Sequence, residues 1–598
     1  MREPVLIPKP RKIVQQDGLH VPPATLGEEL SRYTIGAEDP KGVTARIDSA
    51  SPEGEQSYRL NVTPDGTFVV AGGKPGLFYG LMTLRQLVRQ ADASGRIPCV
   101  QIEDRPELPV RAVMLDISRD RVPTMETLRR LIDLWAELKY NQVQLYTEHA
   151  FAYPSHEVVW KDASPITPQE AEDLDRYCAD RAIELVPNQN SFGHMERWLR
   201  HESYRRIAES TGSFVDPWGG VRHQPTTLNP LDPGSLDLLR SLYDELLPHF
   251  TSGMVNVGAD EPFELGQGRS RQACEQVGLG RVYLEFMLKI HGELSRRGKV
   301  MQFYGDIILH HPELIKELPR DVIALDWGYE ADHPFAEESR LFEQAGLRFY
   351  VCPGTSTWNT LGGRWPTARQ NILTAAREGR DHGAAGMLLT DWGDNGHWQQ
   401  LPVSHPGYLL GAAAAWNPDN AAEIDIRSCL SRHIFRDATG NAAEALMKLA
   451  DPYDRTVPRL RNSAVLAVLL LLDLQPYHEE QLKRFSGYNF THELDRLAES
   501  IELLKKADMR AEDARILYDE LHFTGDLMAH AAHLGRQRFA TPGLTVDEIP
   551  VSARQELASE LEKLIGRYRE LWLCRSRPGG LEDSAGRMNA LKASYLSE

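Results

Sequence analysis

Two adjacent carboxylates, Asp260 and Glu261, follow a short apolar stretch in the middle of the chain, residues 255–264 with the sequence VNVGADEPFE. The valines before Gly258 have the β-branched side chains that strands favour. Because like charges repel, two neighbouring carboxylates push one of the pair toward its neutral form. A neutral carboxylic acid beside an ionised one is the arrangement that an acid catalyst with an anionic helper needs.

The same pair also has a purely structural interpretation. Pro262 could be the first residue of a helix, with Asp260 or Glu261 favourably placed near its positive N-terminus. Acidic dipeptides are common in solvated loops, and short motif matches are often accidental. The elements around the pair therefore have to decide between the two interpretations.

Composition and charge favour a small uncharged partner over a polyanion. The chain has 598 residues, of which 41% are hydrophobic and 25% charged, as is ordinary for a soluble globular protein of several domains. The net charge of −18 argues against a nucleic-acid partner. The most apolar run, residues 464–474, is too short to cross a membrane, so no membrane partner is expected.

The cysteines and the N-terminus indicate a cytoplasmic protein. The first 18 residues lack the apolar core of a secretory signal. The six cysteines are widely scattered and form no C-x-x-C pair, which is typical of reduced thiols rather than of a disulfide framework or a zinc site. The sequence leaves the oligomeric state open, with a homodimer as one option.

The elements that must position the carboxylates begin with a small α/β (α+β) domain, predicted over residues 1–106. Residues 58–62 and 67–70 read as strands, and the Pro-Asp-Gly turn between them predicts a hairpin. Residues 76–89 repeat leucine and phenylalanine at helical spacing. Nothing in this region suggests chemistry, so we expect it to act as a scaffold.

From residue 107 to 422 short strands alternate with amphipathic helices. The strand candidates are residues 113–117, 142–146, 184–187, 254–257, 300–304, 322–327, 348–352 and 386–390. A strand–helix unit repeated this often predicts a closed (β/α)₈ TIM barrel. A doubly wound open sheet is the alternative, but no G-x-G-x-x-G motif follows the first strand.

The barrel interpretation places functional groups where the strands end. Polar side chains follow nearly every strand, including the carboxylate pair, and tryptophans follow three of them: Trp327, Trp358 and Trp392. A tryptophan in a loop usually covers something, and the flat apolar face of a sugar is a common partner. We therefore expect a carbohydrate pocket, although each tryptophan alone could belong to the core.

Helical patterns replace the strand patterns after about residue 420. The predicted helices span residues 442–451, 457–474, 490–506, 511–539 and 546–572. They indicate an all-helical domain at residues 423–598. The sequence does not indicate what this domain does.

Metal and cofactor sites are not expected. His310 and His311 lie close to Asp306, but adjacent histidines diverge on a helix or strand, and no H-x-H or H-E-x-x-H spacing occurs. We therefore predict a site that works without a metal or a cofactor.

Several of these segments together resemble the family 20 glycoside hydrolases, the β-N-acetylhexosaminidases, over roughly residues 55–420. The segments that carry the resemblance are residues 58–62 (YRLNV), 76–87 (GLFYGLMTLRQL), 102–106 (IEDRP), 111–119 (RAVMLDISR), 191–195 (SFGHM) and 258–261 (GADE), the last being similar to the family's Gly-Gly-Asp-Glu signature. One such segment alone is weak, whereas the combination is specific.

The resemblance implies substrate-assisted retaining hydrolysis, in which the sugar's own 2-acetamido group is the nucleophile. Glu261 would be the general acid and base, and Asp260 would orient the acetamido group and stabilise the oxazolinium. The candidate substrate-binding residues are Arg119, Glu148, His149, His194, Tyr304, Trp327, Trp358, Asn359, Trp392 and Asp394. Among them, the resemblance implies that Arg119 and Asp394 bind hydroxyl groups and that Trp327 and Trp392 form the pocket wall.

Two departures from the family pattern leave assignments open. Glu148-His149 stands where the family has Asp-Asp, so either residue could replace the supporting acid. Trp358-Asn359 stands near the position of the tyrosine that holds the acetamido oxygen, so that role passes to another group, such as Tyr304 or Tyr329.

The leading hypothesis is an exo-acting β-N-acetylhexosaminidase that removes terminal GlcNAc or GalNAc from a small carbohydrate. One alternative is a sugar-binding protein without turnover on the same scaffold, although a binder has no use for the costly carboxylate pair. The other is a barrel glycosidase with a protein carboxylate as nucleophile.

Overall fold

The computed structural model describes residues 3–49, 53–455, 459–472, 474, 476–540 and 545–597. An N-terminal sheet comes first, a closed barrel follows, and helices complete the chain. The predicted fold class is confirmed. No helix among the described residues is both long and apolar enough to cross a membrane.

The N-terminal domain is a five-stranded sheet with strand order β1-β5-β3-β4-β2. Its elements are β1 (Lys12–His20), α1 (Leu26–Ser31), β2 (Val43–Ile47), β3 (Tyr58–Thr63), β4 (Gly66–Ala71), α2 (Lys74–Arg89) and β5 (Ile97–Asp104). The β3–β4 hairpin and α2 are the elements that the turn and the helical spacing predict. Both β1 and β2 lie at sheet edges and expose most of their residues, so they lack the alternating apolar pattern that reveals a strand.

Eight parallel strands close the barrel in the order β11-β12-β13-β14-β15-β6-β7-β8. The strands after β5 are β6 (Val110–Asp116), β7 (Gln142–Thr147), β8 (Glu184–Gln189), β9 (Phe214–Val215), β10 (Val221–Arg222), β11 (Met254–Asn256), β12 (Val300–Tyr304), β13 (Ile323–Trp327), β14 (Arg348–Cys352) and β15 (Gly386–Asp391). All eight predicted strands are present, and β9 with β10 forms a separate small hairpin.

Helices surround the barrel, and most of the longer ones bury an apolar face. They are α3 (Met125–Glu137), α4 (Glu157–Trp160), α5 (Pro168–Ala179), α6 (Glu196–Leu199), α7 (Glu202–Arg205), α8 (Pro233–Leu246), α9 (Arg271–Val277), α10 (Leu279–Arg296), α11 (Asp306–Leu309), α12 (Phe335–Ala345), α13 (Trp365–Asp381), α14 (His405–Trp416) and α15 (Pro418–Ala421). Thr124 caps α3 and Thr167 caps α5 by accepting backbone hydrogen bonds, which explains where these two helices begin.

A network of buried amides fills the barrel interior beneath the carboxyl ends of the strands. Gln144 donates to Gln302 at 2.8 Å and accepts from Asn188 at 3.1 Å and Asn256 at 2.9 Å. These four side chains come from four different strands. A buried network that joins four strands fixes their relative positions, and so supports the loops above.

A buried carboxylate joins the N-terminal domain to the barrel. Asp104, at the end of β5, accepts hydrogen bonds from Tyr58 at 2.6 Å and from Trp416 at 2.8 Å, and it pairs with Lys139 at 3.2 Å. All four side chains are buried. Because an unpaired buried charge is costly, this arrangement ties the scaffold sheet firmly to the barrel.

The helical region contains α16 (Ile426–Cys429), α17 (Asn441–Arg455), α18 (Val465–Val468), α19 (Pro476–Leu482), α20 (Thr491–Leu504), α21 (Ala514–Phe539), α22 (Val551–Arg575) and α23 (Leu581–Leu596). The last helix was not predicted, although its buried residues follow helical spacing. Arg577, between α22 and α23, bonds the carbonyl of Pro165 and the carboxylate of Glu170 on the barrel.

The predicted helix at residues 457–474 is wrong where the structure describes it, and Val457 itself lies outside the described residues. Only α18 is helical there. The backbone N–H of Ala464 donates to the carbonyl of Asn359 at 2.9 Å, and Asn462 accepts from Trp358. The apolar run thus packs onto a barrel loop, and these contacts replace the helical hydrogen bonds that its composition favours.

Candidate active site

The two adjacent acids lie just past the carboxyl end of β11. Both face the same histidine: Nε2 of His194 is 3.4 Å from Oδ2 of Asp260 and 3.4 Å from Oε2 of Glu261. Asn190 donates to the other oxygen of Asp260 at 2.9 Å. The side chain of Asp260 is 8% exposed and that of Glu261 is 25% exposed, so Glu261 is the more accessible acid.

Two glycines allow this close approach. A Cβ atom on Gly193 would lie 2.4 Å from the carbonyl oxygen of Asp260, and one on Gly258 would lie 2.6 Å from the amide of Asn190. Gly258 also has a φ of 62°, which favours glycine. The loop that carries His194 can therefore pack directly on the backbone of the acids.

The loops of the site hold several residues in the left-handed backbone region. Positive φ angles between 46° and 68° occur at His194, Ala259, Glu261, Ser356, Asn359 and Asp394. Such angles cost energy in residues other than glycine, and they persist only where surrounding contacts impose them. Their concentration at the carboxyl ends of the barrel strands indicates a site built for side-chain placement rather than for stability.

Asp260 and His194 stabilise each other's charged forms. Burial alone would raise the pKa of Asp260, but the positive His194 and the hydrogen bond from Asn190 lower it below its usual value. Burial alone would lower the pKa of His194, yet Asp260 and Glu261 raise it well above its usual value. Asp260 and His194 therefore form a buried ion pair.

A third acid, Asp306, lies beside the pair at the start of α11. One of its oxygens accepts the backbone N–H of Glu261 at 3.3 Å. Burial, together with the charges of Asp260 and Glu261, raises the pKa of Asp306 well above its usual value. Asp306 is thus a third acid whose charged form the site disfavours, next to the adjacent pair.

Arg119 faces Nδ1 of His194, whose other ring nitrogen faces the two acids. Its guanidinium pairs with Asp116 at 3.3 Å and Glu148 at 3.2 Å, and it lies 3.5 Å from Nδ1 of His194. The same group is 5.0 Å from the ring centre of Trp392. The guanidinium of Arg119 therefore contacts both the ring of Trp392 and the carboxylates of Asp116 and Glu148.

Aromatic rings form the wall of the pocket. Trp327 stacks on Tyr329 with ring centres 5.2 Å apart, and Nε1 of Trp392 donates to the hydroxyl of Tyr329 at 2.7 Å. The ring centres of Tyr304 and Trp392 are 6.1 Å apart. Trp358 is only 1% exposed and packs behind Tyr329 at 4.9 Å, so it supports the wall and does not form its surface.

The structure separates the two residues that the sequence left as alternatives. Glu148 turns toward Arg119 and accepts from Tyr146 at 3.1 Å. His149 lines a different cavity with Asp120, Arg197 and other residues, and burial lowers its pKa to about 3. His149 is therefore neutral and lies outside the pocket, because adjacent residues past a strand end point in opposite directions.

Asn359 and Asp394 meet beyond the carboxyl ends of β14 and β15. Nδ2 of Asn359 donates to Asp394 at 2.8 Å, and Asn395 donates to Asn359 at 3.0 Å. The structure thus brings together all the predicted site residues except His149, with Trp358 behind the wall. Sequence reasoning did not assign Asn190 or Asp306 to the site, although each closely follows a predicted strand.

In the described part of the chain, no group of three potential metal ligands includes the two acids. Among the described residues, the side chains that could hold a cation together are Asp326, His333 and Glu338, not Asp306 with His310 and His311. They lie behind Trp327, where β13 ends and α12 begins.

A closed barrel that collects a carboxylate pair, a histidine, an arginine and an aromatic wall at the carboxyl ends of its strands has the architecture of a glycoside-hydrolase barrel. Two family models match the chain: domain 2 of glycosyl hydrolase family 20 at residues 11–105, and the catalytic domain of the same family at residues 109–371. The chain belongs to glycosyl hydrolase family 20. The catalytic-domain match ends before β15, so Trp392 and Asp394 lie beyond it.

Curated relatives carry the same family's names. The chain is 30% identical over 318 residues to a beta-hexosaminidase of Akkermansia muciniphila, covering 48% of this chain and 63% of that protein. It is 26% identical over 334 residues to human hexosaminidase D, covering 51% of this chain and 64% of that protein. The matches thus span less than two thirds of these relatives' length.

Solved structures share the fold at lower identity. A chitobiase of Flavobacterium johnsoniae has a TM-score of 0.57 at 16% identity, covering 98% of this chain and 99% of that chain. An exo-β-N-acetylglucosaminidase from Vibrio harveyi has a TM-score of 0.57 at 18% identity, covering 75% of this chain and 79% of that chain. At these identities the likeness concerns the fold alone.

Proposed function

We propose that this chain is an exo-acting β-N-acetylhexosaminidase that removes terminal non-reducing GlcNAc or GalNAc by substrate-assisted retaining catalysis. The observation that carries the proposal is the pairing of an ionised, buried Asp260 with a more accessible Glu261 beside an aromatic wall. The names of the curated relatives support the same class of substrate.

In this mechanism Glu261 protonates the departing glycosidic oxygen and later takes a proton from the attacking water. Asp260 accepts the N–H of the 2-acetamido group, turns its carbonyl oxygen toward the anomeric carbon, and stabilises the positive oxazolinium. His194 and Asn190 keep Asp260 ionised for this role. Arg119 and Asp394 bind sugar hydroxyl groups, and Trp327 with Trp392 covers the apolar face of the ring.

Tyr304 is the residue best suited to hold the acetamido oxygen. Its hydroxyl is buried and makes no hydrogen bond with the described part of the chain. The hydroxyl of Tyr329, by contrast, already accepts from Trp392. A buried unpaired donor beside Trp392 is a ready partner for a substrate carbonyl.

Replacing Tyr304 by Phe should therefore lower kcat/KM on an N-acetylglucosaminide by about 10- to 100-fold, since a buried hydrogen bond to a group that gains charge is lost. Steady-state kinetics would measure the change. Tyr350→Phe is the matched control, because its hydroxyl lies lower in the barrel beside the sulfur of Met254, and less than about a twofold effect is expected. Equal effects of the two changes would remove Tyr304 from this role.

The fall of kcat/KM at low pH, the acid limb of the pH profile, should reflect the protonation of Asp394. Burial raises the pKa of Asp394 to about 6, Arg119 opposes that rise, and Asp116 and Glu261 add to it. The ionised form accepts hydrogen bonds at both oxygens and makes them stronger through its charge, so kcat/KM should fall as the pH drops below about 6. Asp394→Asn should lower the plateau about tenfold or more and flatten this limb. An unchanged limb in the variant would contradict the assignment.

The direct test of the function is release of nitrophenol from nitrophenyl N-acetyl-β-glucosaminide and the corresponding galactosaminide. Turnover of either one, with competitive inhibition by a thiazoline analogue of the oxazolinium, is the expected result. Sugar binding without turnover would instead support the binding-protein alternative. Turnover that a thiazoline does not inhibit would support a protein nucleophile.

A further inference from the structure

Three potential metal ligands converge behind the aromatic wall. Asp326 immediately precedes Trp327 on β13, His333 lies in the loop that follows, and Glu338 is in the first turn of α12. One ligand atom from each of the three side chains lies within 4.8 Å of the other two. Three ligands from a strand end, a loop and a helix start are a geometry that a single cation can bridge.

The three converging atoms have no other partners. Oδ1 of Asp326, Nε2 of His333 and Oε2 of Glu338 are all buried, and none makes a hydrogen bond within the described chain. Asp326 itself is 0% exposed. Nε2 of His333 pairs with Oε2 of Glu338 at 2.9 Å, which leaves Oδ1 of Asp326 as a buried oxygen without a partner, at a cost of about 1–3 kcal/mol.

Two of these groups approach each other closely without a well-aligned hydrogen bond, as two ligands of one cation do. Nε2 of His333 and Oε2 of Glu338 are 2.9 Å apart, a hydrogen-bond distance, yet their geometry does not form a hydrogen bond. By contrast, Glu343, also on α12, lies 2.8 Å from Nδ1 of His382, which follows α13, and these two groups do form a hydrogen bond. Two atoms that bind the same metal ion lie close together, but each points toward the ion and not toward the other atom. Around tetrahedral zinc, two ligand atoms lie roughly 3.3 Å apart.

The surroundings hold the ligands in place. The hydroxyl of Ser339 donates to the second oxygen of Asp326 at 3.2 Å, as the supporting shell of a metal ligand does. A Cβ atom on Gly328 would lie 2.1 Å from Nδ1 of His333, so glycine leaves room for the imidazole ring. Both features fix the direction in which the ligands point.

We propose that Asp326, His333 and Glu338 bind one divalent transition-metal ion, with Zn²⁺ the best match to one imidazole and two carboxylates. The site is separate from the carboxylate pair and takes no part in the hydrolysis proposed above. The cation ties the end of β13 to the loop and to α12. That loop also carries Tyr329, which bonds Trp392, so the metal braces the pocket wall from behind.

Zinc titration of the chelator-treated chain by calorimetry, with metal content checked by mass spectrometry, tests this proposal. We expect one Zn²⁺ per chain and a higher melting temperature with zinc than without it. His333→Gln and Glu338→Gln should each weaken binding by about 100-fold or more, since loss of even an outer-shell partner costs 10- to 100-fold. His382→Gln is the matched control and should bind as the unaltered chain does.

The Co²⁺ spectrum of the unaltered chain decides the question even where a variant folds poorly. Bound Co²⁺ should give the intense visible absorption of four- or five-coordinate cobalt, displaced by one equivalent of Zn²⁺. No zinc binding by the unaltered chain, a Co²⁺ spectrum like that of the free aqueous ion, or equal binding by His333→Gln and His382→Gln would each overturn the proposal. Nitrophenol release is scored separately, so failure of the metal site would leave the proposed hydrolysis intact.

Discussion

Glu261→Gln is expected to lower kcat by about 10²- to 10⁴-fold on glycosides with ordinary leaving groups, because an amide cannot protonate the departing oxygen. The side chain keeps its shape, and His194, which loses the charge of Glu261, keeps Asp260 as its partner at 3.4 Å. The melting temperature should therefore stay close to that of the unaltered chain. Steady-state kinetics on an alkyl N-acetyl-β-glucosaminide would measure the loss.

The leaving group makes this prediction specific. A dinitrophenyl glycoside leaves without protonation, so the bond-breaking step of Glu261→Gln should be nearly normal on that substrate in a single turnover. Glu275→Gln, on the exposed face of α9, is the matched control and should change neither rate. A variant at 261 with undiminished turnover of the alkyl glycoside would remove Glu261 from the role of general acid.

Asp260→Asn is expected to lower kcat by about 10²- to 10³-fold, since the neutral amide neither orients the acetamido N–H nor stabilises the oxazolinium. The loss should be largely independent of the leaving group, which distinguishes it from the loss at Glu261. His194 would also lose the charge that raises its pKa. Kinetics on the alkyl and dinitrophenyl glycosides together would measure both the size of the loss in kcat and its dependence on the leaving group.

Asp306→Asn is the informative control for this change. Burial and the charges of Asp260 and Glu261 raise the pKa of Asp306 well above its usual value, so the charged form is disfavoured there, and an amide oxygen can still accept the backbone N–H of Glu261. Activity within about tenfold of the unaltered chain is therefore expected, against the much larger loss at Asp260. Similar losses at the two aspartates would mean that protonation state does not separate their roles.

The fold could be predicted from the sequence because the barrel strands are buried on both faces and read as short apolar runs. All eight runs became strands. The edge strands of the N-terminal sheet were not predictable in this way, since β1 is mostly exposed and has no alternating pattern. The helix predicted at residues 457–474 was wrong because the tertiary contact to Asn359 outweighed the helical propensity of this apolar run.

The site was only partly predictable for a geometric reason. Position at a strand end can be read from the pattern, but the direction of a side chain depends on register and on loop backbone angles. Glu148 and His149 are neighbours, yet only Glu148 faces Arg119. Asn462, which supports Trp358, comes from the helical region 104 residues further along the chain, and no local pattern connects the two.

One comparison of substrates tests most directly whether the sugar's own amide is the nucleophile. The rates of nitrophenol release from the N-acetyl-β-glucosaminide and from the β-glucoside, which differ only in the group at C2, should be measured with the same enzyme. An intramolecular nucleophile predicts at least about a thousandfold preference for the acetamido sugar in kcat/KM. Comparable rates on the two substrates would contradict the account.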